Sequence, residues 1–159
     1  MKQVVSVSLG SSRRDHKVQV ELLGDRFEIS RLGTDGDFQR ALEVLQQLDG
    51  KVDAIGLGGI DVYIYVRQKR YAFQDGLKLM NAVRITPVVD GSGLKNTLER
   101  EVVRSLSEKT GLLNKGMKVL MVSSLDRFGM AEAFYDMGCD MTYGDLIFTM
   151  GMPYPVKTV

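Results

Sequence analysis

The sequence predicts an α/β fold: a Rossmann-like three-layer α/β/α domain with a mostly parallel sheet and β-hairpin elaborations. Three observations lead there. From Val52 onward, short apolar runs (KVDAIGL, RITPVVD, KVLMV) alternate with amphipathic stretches, the pattern of a parallel sheet covered on both faces. Glycine, serine and aspartate collect directly after these runs, as they do in loops at one edge of such a sheet. The chain of 159 residues shows no repeat and no low-complexity linker, so a single domain is expected over 1–159.

Each element has its own signal. KQVVSVSLG is short and valine-rich and reads as the first strand. KVQVELLGDRFEISRL alternates apolar and polar residues on both sides of Gly24-Asp25, which predicts a hairpin. Phe38, Ala41, Leu42, Leu45 and Leu48 recur at helical spacing, with Thr34 or Asp35 as the cap. KVDAIGL is a buried strand, and after its glycines VYIYV favours another. RQKR turns the chain and YAFQ continues it. A short helix around Leu77 to Ala82 leads to RITPVVD, a third buried strand. Ser92 caps a long helix whose Leu94, Leu98, Val102 and Leu106 share one face and which Gly111 stops. KVLMVSSLD is the next strand, Asp126 caps RFGMAEAFYDM, Gly138 ends that helix, and CDMTYGDLIF is the last strand.

Composition narrows the chemistry. A formal net charge of +1 gives no electrostatic case for nucleic-acid or membrane binding. No signal peptide or long apolar run is visible, which predicts a cytoplasmic protein, and the single Cys139 fits a reducing compartment. One histidine, His16, and one cysteine argue against a metal site. Seven of the nine methionines lie from Met117 onward. Two readings of them stay open: a Met-rich core, or an apolar edge that meets a second copy or a missing C-terminal domain.

Polar residues collect after four strands: Gly10, Ser11, Ser12, Arg13, Arg14, Asp15 and His16; Gly56, Gly58, Gly59 and Asp61; Asp90, Gly91, Ser92, Gly93, Lys95 and Asn96; Ser123, Ser124, Asp126 and Arg127. Gly144 and Asp145 sit near the last strand. Each cluster alone is ordinary turn and cap chemistry; four at one sheet edge would converge on one crevice and hold a small anionic metabolite or nucleotide. DGSGLKN is an anion candidate because glycine amides, a helix start and Lys95 coincide, and it is equally a capped helix with a solvated lysine. Arg13 and Arg14 could clamp a phosphate or carboxylate, or could form a solvated charged loop.

Through SVSLGSSRRDH, DAIGLGGID, TPVVDGSGLKNTLER, VSSLDRFGMAEA and GDLIF, the chain resembles a family of bacterial quinate 5-dehydrogenases, chiefly from Firmicutes. Family members are longer, and the chain looks like their N-terminal half. The resemblance implies oxidation of a cyclitol carboxylate with NAD or NADP. It also implies a lysine–aspartate pair for the carbinol proton, here Lys95 with Asp61 or Asp126, and a glycine turn for the nucleotide, here Gly56, Gly58 and Gly59. The continuation VYIYV departs from a dinucleotide fingerprint, whose glycines open a helix. Asp75, the acid at a possible distance for a ribose, follows a hairpin. Three functional readings are therefore expected: a dehydrogenase or its N-terminal domain, a non-catalytic module for a nucleotide or anionic metabolite, and a dimerising structural domain.

Overall fold

The computed structural model describes residues 1–158. Where the sequence reading has one domain over 1–159, the chain shows two compact units: Met1–Tyr63 with Ala72–Gly91, and Ile64–Tyr71 with the chain from Ser92 onward.

The first unit is built on one sheet. Its strands are β1 (Lys2–Ser8), β2 (Lys17–Leu22), β3 (Asp25–Gly33), β4 (Ala54–Gly58) and β7 (Val88–Val89), in the order β2-β3-β1-β4-β7. β3, β1, β4 and β7 run parallel, and only β2 is antiparallel, to β3. The hairpin turn falls at Leu23-Gly24, one residue earlier than expected, with φ of 53° and 80°. Both residues positive is the twist that matches two-residue hairpins. Helix α1 (Phe38–Leu48) is capped by Asp37, whose carboxylate accepts the Arg40 N–H at 2.9 Å. Thr34 is instead buried and donates its hydroxyl to the Ser8 carbonyl.

Alternation along β1 and β4 sends Val5, Val7, Ile55 and Leu57 to one face. There they join Ala41 and Leu45 of α1 and Leu79 of α2 (Gln74–Asn81) in one core. Leu45 and Ile55 are wholly buried, each stabilising the unit by about 1.5–3 kcal/mol. The opposite face carries Val4, Ser6, Ala54 and Gly56, which pair across the strands, and neither helix of this unit lies on it. The sheet is mostly parallel, as expected. The expected helices on both faces are not found within this unit, because α1 and α2 serve the same core.

The second unit contains the parallel pair β8 (Lys118–Met121) and β9 (Asp140–Tyr143), joined by α5 (Phe128–Asp136). Hairpin strands β5 (Tyr63–Val66) and β6 (Lys69–Ala72) form a separate two-stranded sheet. The helix expected from Ser92 is broken at Thr97 into α3 (Ser92–Asn96) and α4 (Leu98–Thr110), and Gly111 ends α4 in the left-handed region. Asp126 does not cap α5; Arg127 holds the cap position. The last strand stops at Tyr143 and a π-helical turn, Asp145–Thr149, follows. Met121 and Met141 are buried, Met117, Met130 and Met137 pack against them, and Met150 and Met152 are exposed. The core reading thus holds for five of the seven, and the other two are exposed. No helix among the described residues is long and apolar enough to cross a membrane.

One aspartate fastens the far end of the first sheet. Asp49, just past α1, accepts the N–H groups of Arg84, Ile85 and Thr86, each at 2.8 Å. The Thr86 and Arg84 N–H bonds hold its carboxyl below the ordinary range, against burial. A depressed folded value contributes stability that is fully present above the unfolded pKa near ~3.9 and is lost as pH falls through the folded value. Thermal melts taken downward from neutral pH should show the melting temperature dropping below about pH 4. Asp49→Asn should lower the melting temperature at neutral pH and flatten that acid dependence.

Candidate anion site at the carboxyl edge of the sheet

The strand order places two loops at a reversal. From β1 the chain passes through β2 to β3 on one side, and α1 then carries it back across to β4 on the other. In open parallel sheets, ligands bind where the loops of adjacent strands diverge in this way. Leu9 N–H donates to the Gly58 carbonyl at 2.9 Å, so the ends of β1 and β4 stay joined. Gly59 turns with φ of 68°, and a Cβ there would come to 3.1 Å from Gly10 N, so glycine is needed for both reasons.

The loop after β1 is held by its own carboxylates. Asp35 accepts the Ser12 N–H at 2.8 Å, and bonds from Ser12 and the Ser11 hydroxyl keep its carboxyl below the ordinary value. Asp15 accepts the Gly33 N–H and the Arg31 guanidinium, both at 2.7 Å. Arg31 also donates to the Ser11 carbonyl and to the Ser8 hydroxyl. Ser11 accepts the Arg13 N–H with its own hydroxyl. Ser11 and Ser12, expected to grip an anion, are therefore spent on the loop itself.

Arg14 is not. It is exposed at the end of the short 3-10 turn Ser12–Arg14, and among the described residues it has no acidic partner. Its guanidinium lies over Gly10: a Cβ added there would overlap the Arg14 Nη2 and come to 3.0 Å from the Arg31 Nη2. Two guanidinium groups thus converge above the glycine at the end of β1, one neutralised by Asp15 and one not. Arg13 is exposed beside them, and His16 Nδ1 lies 2.9 Å from the Arg14 carbonyl. Arg31 was invisible to motif reading, because it sits inside an alternating strand and reaches the loop only through the fold.

The glycine run is a strand and a turn. Gly56 and Gly58 lie in β4, and the chain after Gly59 enters β5 instead of a helix. Asp90, expected to bind an anion, accepts the N–H groups of Val62 and Tyr63 at 2.8 and 3.0 Å. Asp61 borders an open hollow of about 390 Å³ with Ile60, Phe73, Gln74 and Asp75. Gly91 is the last residue of this unit.

The remaining candidates belong to the second unit. Lys95 meets Asp126 at 2.5 Å, one of the two partners the sequence reading offered. Two further ion pairs tie α4 to α5 and its cap, Arg100 to Glu132 at 2.7 Å and Arg127 to Glu99. Helix α5 approaches closely at Gly129, where a Cβ would lie 3.0 Å from the Asn96 carbonyl. Ser92 is buried, and a Cβ at Gly93 would meet nothing, so that glycine serves no close approach. Ser123 is exposed. Ser124 gives its N–H and hydroxyl to Asp145, which also accepts the Leu125 N–H at 3.0 Å. Burial pushes the Asp145 carboxyl up, but these bonds together outweigh it and leave it below its ordinary value.

Gly33 is the contact on which the arginine loop rests. A Cβ there would fall 2.6 Å from Ser12 N and 2.7 Å from both the Gly10 carbonyl oxygen and Ser11 C. These are backbone atoms and cannot rotate away. Gly33→Ala should cost about 1–3 kcal/mol in chemical denaturation, because the loop must move.

Residues 93–159 match the family model DUF8754, a domain of unknown function, and the boundary between the two matched stretches falls where the two compact units meet in sequence. No curated protein and no solved structure matches the chain. Residues 3–90 match the model DUF8753, and the chain belongs to that family of domains of unknown function.

Proposed function

We propose that the first unit is a non-catalytic binding module for a small anionic metabolite or nucleotide, held by its phosphate or carboxylate above Gly10. One observation carries this: Arg14 brings an unneutralised guanidinium to the point where the loops after β1 and β4 diverge. A guanidinium presents paired N–H donors that match phosphate and carboxylate oxygens. Arg31 supports it from β3, with its charge balanced by Asp15. The parallel order β3-β1-β4-β7 supports reading this unit as Rossmann-like, with the β1–β3 helix replaced by the β2 hairpin strand. NAD and NADP are candidate ligands through a phosphate alone, since the glycine turn at Gly56 to Gly59 does not open a helix for a pyrophosphate.

Calorimetric titration at low salt with inorganic phosphate, AMP, NADP and quinate tests the reading. At least one should bind, and Arg14→Ala should weaken it by at least ~10-fold, since a charge-assisted bond contributes about 1.5–3 kcal/mol. Binding unchanged in Arg14→Ala, or no binding by any of the four, would sink it.

A second reading rests on a different observation, the Lys95–Asp126 pair. In a quinate/shikimate-type dehydrogenase such a pair takes the carbinol proton while NAD or NADP accepts the hydride. Quinate-dependent NADP or NAD reduction, lowered ~100-fold or more by Lys95→Ala, is what this reading expects. Absence of any reduction contradicts it.

A further inference from the structure

β2 is the outer strand of the first sheet, and all six residues from Lys17 to Leu22 are exposed. Arg31 N–H donates to the His16 carbonyl at 3.0 Å, and the register places Lys17 opposite Ser30, so His16 and Arg31 form a hydrogen-bonded pair. Such pairs alternate along an antiparallel ladder. Val18, Val20 and Leu22 therefore bond to β3, while Lys17, Gln19 and Glu21 aim their N–H and C=O groups at the free edge. A long exposed edge of this kind is a template for another strand.

We propose that this edge pairs antiparallel with β2 of a second copy of the chain, about a two-fold axis at Gln19, joining two five-stranded sheets into one. Three features agree on that register. Gln19 opposes its own counterpart and Lys17 opposes Glu21, and these are the residues whose backbone groups point outward, so the ladder closes with every facing donor matched. On one face, each Lys17 side chain lies across from the Glu21 of the other copy, giving two opposite-charge pairs. Lys17 already reaches Glu28 at 2.8 Å, and its ammonium keeps further N–H groups for Glu21. On the other face, Val18 opposes Val20, so four valines meet at the axis; in the single chain they are 43% and 39% exposed. A shift of register by two residues would lose the charge pairs, and a shift by one would turn the outward backbone groups away.

Sedimentation velocity over a dilution series of the whole chain tests this. The wild-type chain should show a reversible dimer. Gln19→Pro deletes one outward N–H and leaves the bonds between β2 and β3 intact, so it should abolish the dimer while circular dichroism stays native. Lys17→Glu and Glu21→Lys each set like charges opposite one another and should weaken the dimer about tenfold. Mixing these two variants should restore it, because a carboxylate on one copy then faces an ammonium on the other at both charge pairs. A chain that stays monomeric throughout, a dimer equally strong in all three variants, or charge variants that associate no better mixed than apart would overturn the proposal.

Discussion

The recurring interaction in this protein is an aspartate carboxylate that accepts the backbone N–H groups of a loop remote in sequence. Asp49 holds residues 84–86, Asp90 holds Val62 and Tyr63, and Asp145 holds Ser124 and Leu125. Asp35 and Asp15 do the same for the loop after β1 and the end of β3. Loops that leave a sheet carry N–H groups the ladder no longer satisfies. Here an ionised carboxylate takes up to three of them at once, which fixes the loop and depresses the acid's pKa, as at Asp35, Asp49 and Asp145.

This arrangement bears on the proposed anion site. Loop amides at the carboxyl edge of a parallel sheet are the usual grip for a phosphate. In this chain the amides of Ser12 and Ser124 face the chain's own carboxylates, and the serine hydroxyls follow them. In the proposed site the ligand meets the side-chain charge of Arg14, placed by a loop that Asp15, Asp35 and Arg31 fasten from beneath. The glycines have the matching role: Gly10, Gly33 and Gly59 let backbone and guanidinium approach closely, and none of them opens a helix toward a ligand.

Much of the fold was legible in local pattern. The apolar runs of β1, β4 and β8, the alternation of the β2–β3 hairpin and the helical spacing from Phe38 to Leu48 all depend on neighbours in sequence, and all appear. Patterns that depend on distant partners were not legible. Leu94, Leu98, Val102 and Leu106 read as a core face, yet they are exposed, because Lys95 of α3 and Glu99 and Arg100 of α4 pair with residues of and beside α5. LIF at 146–148 favours a strand by composition, but the turn led by Asp145 takes it. In sequence the serines read as ligand groups because their acceptors, Asp35 and Asp145, lie 23 and 21 residues away. Lys95 meets Asp126, one of the two partners offered for it; the place of that pair beside two further ion pairs that tie α4 to α5 and its cap could be seen only in the structure.

Two-dimensional 15N–1H NMR during a titration with inorganic phosphate tests the central claim most directly. If the carboxylates fill the loop amides and Arg14 is a free cation over Gly10, the Arg14 side-chain Nε–H and the Gly10 amide should shift. The amides of Ser12, Ser124 and Leu125 should stay where they are. Movement of the Ser12 or Ser124 amide with Arg14 unaffected would contradict the account.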